Sequence, residues 1–164
     1  DWNRYLSPWP ADKIFRKGVS FEGKADELIQ RILDLNIIQT YEHSYIAGYS
    51  LAGLFSLYFC TRMNLFEGCI SCSGSLWYPG FYSYLKEYVL NCRYVYLSLG
   101  DQEKKSRNPI LSKVQEMTEK TYQLLLETHI CTYELNPGNN FSDVEERIIK
   151  GITWMNKVGV NQYE

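Results

Sequence analysis

The sequence predicts an α/β protein, a three-layer helix–sheet–helix sandwich built on a mainly parallel sheet. Three observations carry that expectation. Short apolar runs at 44–48, 67–72, 93–99 and 129–135 alternate with segments whose apolar residues recur at helical spacing. Glycine, serine or asparagine closes each run, which is where a strand turns into a loop. Strands separated by helices of this length pair in parallel through right-handed crossovers, which leaves helices on both faces of the sheet. With 164 residues and 45% apolar content, the chain reads as one domain, residues 1–164, with enough material for a core.

Residues 1–23 read as loop, because Ser7-Pro8-Trp9-Pro10 blocks a regular helix and Gly18 and Gly23 interrupt the residues after it. Ala25, Leu28, Ile29, Ile32 and Leu33 then mark one face of an amphipathic helix lying against the sheet and ending near Asn36. The first strand spans 44–48, and a helix comes next over 51–62. The second strand spans 67–72. Pro79-Gly80 precedes a short helix at 81–90, and the third strand, 93–99, is rich in aromatic and β-branched residues. Asn108-Pro109 starts a helix with Ile110, Val114, Met117, Thr121 and Leu124 facing inward. After the fourth strand, Ser142 and Glu145 have capping-box spacing, and Val144, Ile148, Ile152 and Met155 form the last inward stripe.

Composition removes several functional classes. A net charge of -2 without a basic cluster gives no footprint for nucleic acid or an anionic membrane. No apolar run approaches the ~20 residues that span a bilayer, and the acidic start is no secretion signal, so a soluble protein is expected. Five cysteines, an odd number set in apolar segments, suit buried free thiols in a reducing, cytoplasmic setting. Cys69 and Cys72 sit three apart on a strand and so face opposite ways. No metal or cofactor is expected.

The chemistry concentrates at Gly48-Tyr49-Ser50-Leu51-Ala52-Gly53, where a strand meets a helix. A serine lifted on so sharp a turn needs small neighbours, and Gly48, Ala52 and Gly53 supply them. The pattern is that of a nucleophile elbow, with the Leu51 amide placed to donate to an oxyanion. A glycine turn with an incidental serine would read the same way. In this architecture a serine is followed in chain order by an acid and then a histidine. Glu103, and after it Asp101, are the candidate acids in the loop after the third strand. The turn 136–141, where a histidine belongs, has Asn140 instead. His43 and His129 each lie about seven residues upstream of a strand's carboxyl end, roughly 20 Å away at ~3.3 Å per residue.

Five stretches in order resemble the putative esterases of the α/β-hydrolase superfamily, especially the short bacterial predicted-hydrolase branch related to siderophore and D-type esterases. They are Asp1-Trp2-Asn3-Arg4 with Leu6-Ser7-Pro8-Trp9, the Ser50 corner, 75–81, 96–103 and Gly138-Asn139-Asn140-Phe141. The resemblance implies a carboxylic-ester hydrolase working through an acyl-serine on a small ester or thioester. Its catalytic positions fall on Ser50, Glu103 and Asn140, where the family has histidine. It also implies a substrate pocket rimmed by Tyr49, Trp2, Asn3, Trp9, Trp77 and Tyr78, although plain core packing would account equally well for Trp2, Asn3, Trp9, Trp77 and Tyr78. The family has further strands before the Asp-Trp-Asn loop, so the N-terminal strands are expected to be missing or shortened here. A fragment, or a variant whose sheet edge is covered by another copy or a partner, would account for that. With an amide at the base position, activity is expected to be weak or lost. The alternative is a non-catalytic small-molecule binding or scaffolding protein derived from an esterase.

Overall fold

The computed structural model describes residues 1–37 and 40–160. In chain order they form helix α1 (Trp2–Tyr5), strands β1 (Pro10–Ala11) and β2 (Phe21–Glu22), helix α2 (Ala25–Asp34), strand β3 (Tyr45–Tyr49) and helix α3 (Leu51–Arg62). Next come strand β4 (Gly68–Cys72), helix α4 (Phe81–Glu87), strand β5 (Tyr94–Gly100), helix α5 (Val114–Leu126), strand β6 (Ile130–Asn136) and helix α6 (Val144–Val160). Two 3-10 turns, Glu103–Lys105 and Leu111–Lys113, sit between β5 and α5.

Strands β3 to β6 form one parallel sheet in chain order, Ile46 beside Cys69, Cys69 beside Val95 and Val95 beside Cys131. Side chains alternate across it. Cys69, Val95 and Leu97 pack toward α3, α4 and α5, while Ile70, Cys72, Tyr94 and Tyr96 pack toward α6 through Met155. The sandwich is therefore three layers deep, and Cys69 and Cys72 do lie on opposite faces.

Local chemistry explains the helices. Every residue from Gly53 to Cys60 in α3 is buried, as befits a helix apolar on all sides with structure packed around it. Helix α2 is amphipathic: Ala25 and Ile29 are buried, and Asp26 accepts hydrogen bonds from Tyr58 and Arg62 of α3. Asp26 and Glu27 also place negative charge at the positive end of its dipole. Asn108 Oδ1 accepts from the N–H groups of Ile110 and Leu111, while its Nδ2 donates to the Ile14 carbonyl 2.7 Å away. One side chain thus caps the approach to α5 and pins the N-terminal segment over it.

Four details differ from the sequence-based expectations. Residues 1–23 are not all loop: Asp1 caps α1 through the Asn3 N–H, and β1 and β2 pair as an antiparallel ribbon. Ser142 does not form a capping box. Its hydroxyl turns back to the Asn139 N–H at 3.1 Å, and Asp143 before the helix has φ 51°. On α6, Ile152 is 44% exposed, and the inward face runs through Arg147, Gly151 and Met155. Gly151 makes this approach possible, since a Cβ there would stand 2.5 Å from Ile70 Cγ2. On α5 the buried residues are Val114, Thr118, Thr121 and Leu125, with Ile110 left half out in the preceding loop.

Candidate active site

Ser50 stands between β3 and α3 with φ 55° and ψ -119°. A non-glycine residue there is strained, and the surroundings over-determine it. Its N–H donates to the Cys72 carbonyl, and its own carbonyl accepts from Gly53 and Ser75. The small neighbours are geometrically required. A Cβ on Gly48 would lie 2.0 Å from the Ala52 carbonyl oxygen, and one on Gly53 2.8 Å from Ser71 Oγ. Among the described residues, no side chain hydrogen-bonds the Ser50 hydroxyl. Leu51 is the first residue of α3, so its N–H has no acceptor within the helix.

Above this corner, at the carboxyl edge of the sheet, lies a cavity of about 540 Å³. Ser50, Glu103 and Asn140 all border it, as do Ser73, Ser75 and Trp77. Apolar wall comes from Ile14, Phe15, Leu111, Val114 and Phe141, none of which the sequence assigned to a pocket. Phe15 and Phe141 are 56% and 86% exposed, so they stand at the mouth.

Behind the cavity is a buried ion pair. The Glu103 side chain is 6% exposed and that of Arg147 1%. Glu103 Oε1 accepts from Ser73 Oγ at 2.6 Å, from the Gly100 N–H at 2.8 Å and from Arg147 Nη1 at 3.5 Å. Arg147 also donates to Tyr49 Oη, to Ser73 Oγ and to the Pro137 carbonyl, each at 3.0 Å. The guanidinium therefore touches segments at the ends of all four parallel strands. Gly100 leaves room for it: a Cβ there would be 3.0 Å from both Arg147 Nη2 and Glu103 Oε1.

The other candidates fall elsewhere. Asp101 laces the β5 and β6 loops together by accepting from the Gly138 N–H, and it does not border the cavity. The amide of Gln102, then the Gly138 N–H, hold its carboxyl below the usual carboxylate range. Trp2, 75% exposed, sits in a separate surface hollow with Tyr5 and Leu28, and Asn3 binds the Val19 carbonyl. Tyr49 lies on the α6 face of the sheet. Tyr78 is 2% exposed and donates to the Trp9 carbonyl; burial pushes its phenol up to about 12. Trp9 donates to the Pro79 carbonyl and packs on Tyr78 and Phe81. Of the expected rim, Trp77 alone borders the cavity; the aromatic residues around it are committed to packing.

Neither histidine reaches Ser50. His43 Nδ1 is 2.9 Å from Glu67, just before β4, and His129 Nε2 is 3.0 Å from the Leu90 carbonyl, before β5. Both lie at the amino-terminal edge of the sheet. Among the described residues no group of three His, Cys, Asp or Glu side chains is arranged to hold a metal ion, and all five cysteines are free thiols. No described helix is long and apolar enough to cross a membrane.

Several solved structures share this architecture. The IroE-like serine hydrolase from Shewanella oneidensis superposes with a TM-score of 0.75 over 91% of the chain at 16% identity. The chain has the α/β-hydrolase fold. The siderophore hydrolase EstA from Aspergillus nidulans matches with a TM-score of 0.68 over 96% of the chain at 17% identity. The enterobactin esterase FES from Shigella flexneri matches with a TM-score of 0.60 over 79% at 20% identity. The chain spans 66% of the EstA chain, 54% of the Shewanella chain and 37% of the FES chain. No protein-family model and no curated protein matches it by sequence.

Proposed function

We propose that the cavity over Ser50 is the ester-binding site of a serine esterase whose base position is held by an amide. Ser50 is the nucleophile, the Leu51 N–H an oxyanion donor, Glu103 the former orienting acid, and Asn140 the residue that stands where an imidazole would. One observation carries this reading: a strained serine, φ 55°, at a strand-to-helix corner opens into the same cavity as Glu103 and Asn140. The fold shared with a siderophore hydrolase and an enterobactin esterase makes a carboxylic ester the natural bond class.

The expected activity comes from acid–base chemistry. Imidazole, with a pKa of about 6.5, takes the proton from an attacking hydroxyl near neutral pH, and an asparagine amide cannot. Without that base, catalysis typically falls to about 10³–10⁴-fold over water, supplied by oxyanion donors and binding. Turnover by the parent protein is therefore very slow. Asn140→His is expected to raise p-nitrophenyl acetate hydrolysis above the parent, with the new activity abolished by Ser50→Ala. Background rates in Asn140→His would refute the assignment of these three residues.

The lack of any imidazole at the carboxyl edge among the described residues favours a second reading, a binding protein that keeps the pocket and has given up turnover. A fluorophosphonate probe separates the two. Labelling of Ser50 far faster than free serine marks a working nucleophile; a silent Ser50 together with reversible ligand binding marks the non-catalytic protein.

A further inference from the structure

Resting on the reading of the Ser50 cavity as the ligand site, we infer that Glu103 is its recognition point, and that the ligand has an apolar or aryl body and a neutral N–H or O–H donor. The inference starts from how the carboxylate is held. Three donors converge on Oε1: the Ser73 hydroxyl, the Gly100 N–H and Arg147 Nη1. Among the described residues none reaches Oε2. The side chain is more than nine-tenths buried, yet it borders the cavity. An acceptor at the border of the cavity, with no protein partner on its second oxygen, favours a bound group that donates to it.

The charges nearby select the kind of donor. Arg147 already balances Glu103 within the ion pair, and Lys105 borders the same cavity. A cationic ligand would meet that lysine, whereas a neutral donor meets no such opposition. The walls set the rest. Phe15, Trp77, Leu111 and Val114 offer apolar surface to an aromatic or branched body.

Glu103→Gln has a predetermined effect. The Gly100 N–H cannot accept a hydrogen bond, and neither can the guanidinium, so the glutamine oxygen must occupy the Oε1 position. Its NH2 then takes the place of Oε2, and the recognition point changes from acceptor to donor.

Indole and benzofuran test this, since they match in size but differ in having an N–H or a ring oxygen. NMR titration of the backbone amides gives both affinity and location. The parent protein is expected to bind indole about tenfold or more tightly than benzofuran, the range of a hydrogen bond to a charged group. The shifts should centre on Ser50, Glu103 and Asn140, and Glu103→Gln should erase or reverse the preference. Equal affinities in the parent, or shifts away from the cavity, would overturn the inference. So would a preference unchanged in folded Glu103→Gln. Should a thermal melt show that variant unfolded, the parent comparison decides alone. Failure of the esterase reading appears elsewhere, as a silent Ser50 and an inert Asn140→His, and leaves the indole preference intact.

Discussion

Arg147 is the residue on which the loops of the carboxyl edge converge. Its guanidinium, 1% exposed, faces Glu103, Ser73, Tyr49 and the Pro137 carbonyl. Desolvating such a pair costs much of what its attraction returns, but removing one partner strands the other in low dielectric. Arg147→Met is therefore expected to destabilise the protein by about 3–5 kcal/mol in urea unfolding, the usual loss when a buried pair is broken. The double change Glu103→Leu with Arg147→Met should lose much less than the two single changes added together. A second prediction at this scale concerns Glu134, whose carboxyl is held low, first by the Tyr96 hydroxyl at 2.6 Å and then by Lys150. Tyr96→Phe should raise the midpoint of its carboxyl carbon titration by NMR.

At the scale of elements, the alternation of strand and helix is legible in the sequence because period-2 and period-3.6 patterns need only local residues. The corner is legible for a different reason: its glycines answer steric demands that any strand-to-helix turn of this sharpness makes. Arg147 is not legible. A lone arginine among Glu145, Glu146 and Lys150 on an amphipathic helix looks like a solvent-facing residue, and only the packing reveals otherwise. The spacing of Arg147, Gly151 and Met155, four apart, is the available signal, masked by the stronger apolarity of Ile148 and Ile152. Resemblance assigns Trp2, Asn3, Tyr49 and Tyr78 to the rim, yet they lie in a surface hollow, a loop contact, the opposite face and the core. Aromatic character does not say which side of a sheet a ring occupies. The corner itself is sensitive: Gly48→Ala forces a Cβ against the Ala52 carbonyl, part of the backbone that cannot rotate away. It is expected to lower stability by about 1–3 kcal/mol, the range for overpacking, with loss of any ligand-induced NMR shifts at Ser50.

For the whole molecule, the titrating groups define how stability varies with pH. Asp101, Glu116 and Glu134 are each held below their ordinary range by hydrogen bonds that favour the charged form. Carboxyls lowered by folding contribute stability above their unfolded values, and that stability is lost as pH falls through their folded values. His43 works the other way. Glu67 raises it, so its contribution is present below about 6.5, the ordinary imidazole value, and fades as pH rises through the folded one. Urea midpoints should fall below pH about 4, the ordinary carboxyl range, and decline slightly above neutrality, with His43→Gln removing the slope near neutrality. The order of the sheet has one more consequence. Because β3, β4, β5 and β6 lie side by side in the order they are made, each strand emerging from the ribosome finds its neighbour already laid down. The helix that carries Arg147 emerges after all four, so the loops at their carboxyl ends go without the guanidinium that ties them together until that helix docks.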